Sequence, residues 1–464
     1  MSLSALVSQF ASDTTNGSGV NKTIGNGFTP KAAIFSMVPR SSDGNNPSAE
    51  FWLGVAVDIG GGTIRQWSLG FTSADAAATS SVTTIQRNAE AMTRGSSTTT
   101  VRTSVTSFSA DSVTLNNIAV TGATSRQYGV LALGGADLSD CDAINFQAPT
   151  ATGDFDVALD FNPDFILIAA VCKSNSNNIT HTQQNAHFAI GVATPTEQSY
   201  TATYTEHGNA TNAVTKKYQG QDAAFAMIDA SSAFLKCTWV GNPTSGTGIK
   251  LNFSAVDATN PPYLYVLALK GCRYKISTFN QLTSLTPTAV QSVTGHPGQP
   301  VAAIFMGNQA AESSSVGNDL HFAWGMASGS GAQLSQWLGD ANGQATQWAN
   351  NNLNSSNVIS ALTLASGTPT LNSQAAFTSF DSTGYTVTWG SVSGTANEWV
   401  SVAFIANATA APGEFDVTVL SEALHGSAGY DATVLSEALQ PGIGGGGGST
   451  VVNTVLSPVR ITRV

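Results

Sequence analysis

Three stretches of this sequence repeat the same landmarks at nearly the same spacing, and such a repeat constrains the fold more than any single motif. The first opens F-T-P-K-A-A-I-F at Phe28 to Phe35, the second F-N-P-D-F-I-L-I at Phe161 to Ile168, the third Q-P-V-A-A-I-F at Gln299 to Phe305. Each then reaches a second landmark: F-W-L-G-V-A from Phe51, H-F-A-I-G-V-A from His187, H-F-A-W-G-M-A from His321. They close on Y-G-V-L-A-L-G-G from Tyr128, Y-L-Y-V-L-A-L-K-G from Tyr263 and W-V-S-V-A-F-I-A from Trp399. Opening proline to closing alanine spans Pro30 to Ala132, Pro163 to Ala268 and Pro300 to Ala403, separations of 102, 105 and 103 residues. Three modules of like length follow.

Within each module, short runs of Val, Thr, Ile, Phe, Tyr and Trp alternate with Gly, Asn, Ser and Asp clusters, the pattern of antiparallel β-structure. Tyr385 to Trp389 reads Y-T-V-T-W, one face apolar and one polar, as a half-buried strand requires. The expected fold is all-β: three tandem β-sandwich or jelly-roll-like modules at 20–140, 155–275 and 290–408. An N-terminal arm at 1–19 precedes them, and an extended C-terminal arm at 409–464 follows. Helical pattern is confined to two short pieces, 75–92 and 333–350. The lack of βα alternation argues against a doubly wound fold.

One stretch raises a different possibility. V-A-V-D-I-G-G-G-T-I-R-Q, Val55 to Gln66, is similar to the phosphate-1 loop of the actin, hexokinase and chaperone ATPases. Glycines let backbone N–H groups approach phosphate, and an Asp holds Mg²⁺ through water. The repeat answers the question. Aligning Gly54 to Trp67 with Gly325 to Trp337 sets G-M-A-S-G-S-G-A-Q-L-S-Q-W against the motif, glycines kept and Asp58 lost; module two shortens the loop to G-V-A-T-P-T-E-Q-S-Y. A hairpin turn needs glycines at positive φ without any ligand. No cofactor is expected.

Charged residues make up 10% of the chain and the net charge is −11, with no basic tract longer than Lys216-Lys217. Phosphate neutralisation needs clustered Lys and Arg, so a nucleic-acid partner is not expected. No run of 18 apolar residues occurs, and M-S-L-S-A-L-V-S-Q-F lacks the basic and apolar regions of a signal peptide, so neither export nor membrane anchoring is expected. Cys141, Cys172, Cys237 and Cys272 lie far apart and read as buried free thiols rather than a disulfide or zinc set.

Candidate chemistry is sparse. His187 and His321 occupy the place of Glu50 in module one, an exchange that reads as a solvated strand end. Asp137, Asp140 and Asp142, followed by Asp154, Asp156 and Asp160, could clamp Ca²⁺ but lack the order of a calcium loop and read as solvated turns and caps. With no G-x-S-x-G elbow, no Cys–His signature and no carboxylate pair nominated by the repeat, catalytic and metal sites are both expected to be absent. Trp67, Trp324, Trp337, Trp389 and Trp399 fall on repeat positions and read as core rather than as sugar-stacking platforms.

After Asn407 the pattern changes. F-D-V-T-V-L-S-E-A-L at Phe415 to Leu424 recurs 15 residues on as Y-D-A-T-V-L-S-E-A-L at Tyr430 to Leu439, and T-V-L-S returns at Thr454 to Ser457. Units this short cannot bury a core alone. They read as an assembly arm whose Phe415, Val419, Leu420, Tyr430, Val434, Leu435, Val455 and Leu456 enter apolar pockets on other subunits.

G-F-T-P-K-A-A-I-F at Gly27 to Phe35 with Y-G-V-L-A-L-G-G at Tyr128 to Gly135 resembles a β-sandwich module found in tandem in structural proteins of tailed bacteriophages. Module three departs from it, with Val301 at the Lys31 position and Ile405-Ala406 for the final glycines. The resemblance implies a non-enzymatic virion protein of the capsid surface or tail, assembled in the host cytoplasm, whose partners are further copies of itself and other virion proteins. A receptor-binding fibre or adhesin that recognises a host-surface glycan is the alternative, and a glycan-degrading enzyme the third reading.

Overall fold

Apolar runs such as A-A-I-F-M-G at 302–307 and F-I-L-I-A-A at 165–170 bury every second residue and the ones between as well. An antiparallel sheet usually leaves one face to water. Here both faces of each large sheet are covered. The computed structural model describes residues 2–12, 17–23, 28–95, 100–121, 126–182, 184–286, 289–310, 315–365 and 367–407. Among the described residues there is no helix, and therefore none long and apolar enough to cross a membrane. The fold is all-β, built from antiparallel sheets of which none closes into a barrel.

Each module pairs a large sheet with a four-stranded one. The first large sheet runs Ser4–Ala11, Gln127–Gly134, Pro30–Met37, Ala49–Asp58, Ile64–Ser73, Val82–Arg87. The second runs Asp140–Gln147, Tyr263–Lys270, Phe165–Ala170, Ala189–Ala193, Gln198–Thr205, Thr215–Gly220, and the third Arg273–Asn280, Glu398–Ile405, Pro300–Gly307, Leu320–Ser328, Gln333–Asp340, Ala349–Asn354. A seventh strand comes from another module in every case. Ile179–Thr182 of the second pairs with Val82–Arg87, Gly317–Asn318 of the third with Thr215–Gly220, and Gly44–Pro47 of the first with Ala349–Asn354. The exchange therefore closes on itself, first to third, as a ring about an approximate threefold axis.

The outer face of each large sheet packs on its own small sheet, giving three separate sandwich cores. The inner faces share a fourth core that draws on all three modules. At its centre Phe51, Phe188 and Phe322 meet edge to face with ring centroids 5.4, 5.0 and 5.3 Å apart. Strand register makes the three phenylalanines equivalent, because Phe35, Ile168 and Phe305 sit opposite Gly54, Gly191 and Gly325, three residues beyond each phenylalanine. Those glycines have a common cause. A Cβ there would lie 1.6, 1.9 and 1.7 Å from the carbonyl oxygens of Ala91, Ala224 and Val358, where the small sheet crosses closest.

Several expectations need correction. Ser4–Ala11, inside the segment read as an arm, is the edge strand of the first large sheet, and Asp140–Gln147 and Arg273–Asn280 begin the second and third. These strands carry no proline landmark, so the repeat did not expose them. The two expected helical pieces are extended: Val82–Arg87 and Met92–Gly95 in one, Gln333–Asp340 and Ala349–Asn354 in the other, because sheet pairing overrides local preference. Trp67 and Trp337 are not counterparts. Ser68 and Ser335 lie opposite the matched glycines, so Trp67 corresponds to Leu334 and faces the shared core, whereas Trp337 corresponds to Gly70 and faces the third sandwich. All five tryptophans are buried, and the alternation of Tyr385 to Trp389 is present. Residues 409–464, with Phe415, Val419, Leu420, Tyr430, Val434, Leu435, Val455 and Leu456, lie outside the described residues.

Candidate functional site

The phosphate-loop look-alike is a β-turn. Asp58 pairs with Ile64 across the hairpin, the Ile59 N–H donates to the Thr63 carbonyl at 3.1 Å and the Thr63 N–H to Gly60 at 3.2 Å. Gly60, Gly61 and Gly62 all hold positive φ, which is what the run of glycines serves. Asp58 spends its Oδ1 on the Gly60 N–H of its own turn, at 2.9 Å. The turn also meets the next module: the Cys141 thiol lies 3.3 Å from the Asp58 carbonyl, and Arg65 pairs with the buried Asp142 at 2.6 Å. At the corresponding second junction Glu197 pairs with Lys275 and accepts the Ile276 N–H at 2.8 Å. Titration with ATP and Mg²⁺ in a calorimeter is therefore expected to give no heat of binding, and Asp58→Ala no change; micromolar binding abolished by that substitution would reverse the assignment.

Glu50, His187 and His321 are not solvated strand ends, since all three are buried. Glu50 accepts from Arg94 Nε and from the Trp52 indole, each at 2.7 Å. His187 Nδ1 lies 2.8 Å from the Ile228 carbonyl, and burial pushes its pKa down to about 4. His321 is held well below the usual histidine range by burial and then by Lys217, 3.4 Å away. Each polar group found a partner in the small sheet or a neighbouring module, so burial became tolerable. Glu90, also buried, binds Arg102 and accepts from the Thr93 hydroxyl at 3.1 Å.

The carboxylates of the first linker are dispersed. Asp137 Oδ2 accepts the Leu3 N–H at 3.0 Å and the Asn407 N–H at 2.8 Å, so both ends of the body are fastened at one pole. Asp140 accepts from Ser139, Asp154 from Asn252 at 2.7 Å, Asp156 lies 3.9 Å from Lys250 and Asp160 is exposed. Among the described residues no three His, Cys, Asp or Glu side chains are grouped to hold a metal. The four cysteines are buried and free; burial pushes the Cys141 and Cys172 thiols up to about 12, unreactive at neutral pH.

The opposite pole holds the feature that sequence reasoning missed. Ser73, Thr205 and Asp340 end equivalent strands, each five residues past the position opposite the matched glycine. All three are fully buried. Asp340 Oδ2 accepts from the Ser73 hydroxyl at 2.6 Å, the Thr205 hydroxyl at 3.0 Å and Gln347 Nε2 at 2.8 Å. The loops that follow these strands bond in a cycle. Gln347 of the third accepts the Ala76 N–H and donates its own N–H to the Ala77 carbonyl of the first, Ser80 bonds the second loop through Asn209 and Gly208, and Ala213 the third through Gln344 and Gly343. A correct three-way register, rather than a motif, is the signal that would have aligned these side chains.

A shallow groove of about 400 Å³ lies at the first–third junction, lined by Val7, Gln9, Ala332, Gln333 and Ser355 among others, with no ionisable side chain. No family model matches this chain, and neither a curated protein nor a solved structure matches it.

Proposed function

We propose that this chain is a non-enzymatic structural protein of a bacteriophage virion, on the capsid surface or tail, that works by self-association and by docking onto other virion proteins. The observation that carries the reading is the closed ring: three like modules in one chain are interlocked by exchanged strands. Such a body is a building block of approximate threefold form. Both ends of the body meet at Asp137, and the chain continues from Asn407 into a segment with T-V-L-S at three places. That segment is the proposed assembly arm. A glycan-binding role draws less support, because sugar platforms need exposed aromatic rings and the large apolar side chains exposed among the described residues are Ile59, Ile118, Val240, Leu285, Val290 and Leu371.

Deleting 409–464 tests the proposal. The truncated protein is expected to keep the thermal transition of the full chain and to lose self-association and attachment to particles. Ordering a residue costs roughly 1–2 kcal/mol of backbone entropy, so an arm of short units needs surface supplied by partners. Sedimentation showing unchanged assembly by the truncated chain would end the arm's role.

A further inference from the structure

At the buried carboxylate of Asp340 all three modules meet. Its Oδ2 takes a hydroxyl from the first module, a hydroxyl from the second and an amide from the third. Its Oδ1 is buried and has no hydrogen-bond partner, and no salt bridge involving Asp340 is present among the described residues. An ionised carboxylate without a cation, sealed from water, is costly; a neutral carboxylic acid in the same place costs far less. The nearest charged influence makes ionisation harder still. Asp75, in the first loop, accepts the Ala349 N–H at 2.9 Å and acts on Asp340 as a like charge.

We propose that Asp340 is a proton-operated lock on this pole, closed while its carboxyl carries a proton and loosened when the proton leaves to solvent. The structural route is short. Opening the cycle of loops 74–81, 206–214 and 341–348 would let water reach Oδ1 and would break the paired backbone bonds at Gln347, Asn209 and Ala213. In agreement, burial pushes the Asp340 carboxyl up to about 7, with Asp75 adding to the rise and the three donors opposing it. The sign follows from linkage. A carboxyl whose pKa is higher when closed than when open favours the closed pole at low pH, and that advantage is lost as pH rises from about 4 to about 7. Three pKa units correspond to about a thousandfold in the closed-to-open ratio. His187, His321 and, within the second loop itself, His207, which accepts the Val82 N–H at 3.0 Å, have the opposite sense, since burial lowers their pKa values and their contribution is lost as pH falls below about 6.5. A global melt would mix the two, so the readout must be local.

Hydrogen exchange followed by mass spectrometry at pH 5 and pH 8, corrected for intrinsic rates, supplies one. Peptides covering 74–81, 206–214 and 341–348 are expected to lose protection at pH 8 by about two orders of magnitude relative to 135–142 and 271–280 at the other pole. Asp340→Asn is expected to remove that difference. If the wild-type loops keep pace with the other pole across this range, or if Asp340→Asn retains the wild-type response, the lock does not exist. Should Asp340→Asn fail to fold, Ser73→Ala decides: without that donor to Oδ2 the ionised closed form loses more than the protonated one, so the loss of protection between pH 5 and pH 8 must grow, and an unchanged loss refutes the proposal.

Discussion

Alanine at Gly54, Gly191 or Gly325 is expected to destabilise the protein by about 3 kcal/mol or more, although it adds one methyl group. Overpacking a core costs typically 1–3 kcal/mol when side chains can shift. Here the obstacle is a backbone carbonyl at 1.6, 1.9 or 1.7 Å, and it belongs to the residue that leads into the edge strand of the small sheet. It cannot rotate away. The two sheets must separate, and the sandwich core of that module loses contact along with them. Gly390, which lies in a strand of the third small sheet with nothing within 4 Å of the place its added methyl group would take, is the control, and Gly390→Ala is expected to be near neutral. Chemical denaturation of the four variants checks both halves of the expectation. Equal stability of Gly191→Ala and Gly390→Ala would mean that the sheets are not in this contact.

Phe188→Ala is expected to cost about 3–5 kcal/mol and, more tellingly, to uncouple the modules. Removing a buried phenylalanine forfeits its transfer free energy and leaves a cavity. At this position it also removes two edge-to-face pairs, each worth about 0.5–1.5 kcal/mol beyond burial, one to the first module and one to the third. The rings of Phe51 and Phe322 keep their mutual contact at 5.0 Å. Calorimetry should therefore show the second module melting ahead of the others, where the wild type melts as one. Phe225→Ala, in the sandwich core of the second module alone, is the comparison: it should lower stability without splitting the transition. A single sharp transition for Phe188→Ala would count against a core shared by all three modules.

Much of the architecture was legible in the chain because a repeat is redundant. Pro30, Pro163 and Pro300, then the F-x-x-G landmarks at Phe51, Phe188 and Phe322, mark equivalent strands, and the strand pattern follows from β-branched and aromatic runs. The glycine-rich Asp58 to Thr63 turn was legible for the same reason, since its counterparts keep the hairpin without the Asp. What local pattern could not carry was anything decided by contact across long separations. Ser4–Ala11 is a strand because Gln127–Gly134 offers it an edge, and 75–92 is extended because Ile64–Ser73 pairs with its middle. Glu50, His187 and His321 read as surface because polar side chains usually are; they are buried because arginine, a backbone carbonyl and lysine from distant strands meet them there.

The sequence by itself determined the all-β class of structure and a thrice-repeated set of strand landmarks, because apolar period and turn chemistry act over a few residues and a repeat states them three times. Only the tertiary structure decided that the modules exchange strands and close into a ring, that their inner faces make one core, and that Ser73, Thr205 and Asp340 converge on a single buried carboxylate. The physical reason is that closure depends on shape and burial summed over three modules. Burial also sets the proton affinity of Asp340, and no spacing of residues along the chain encodes how dry a position will be.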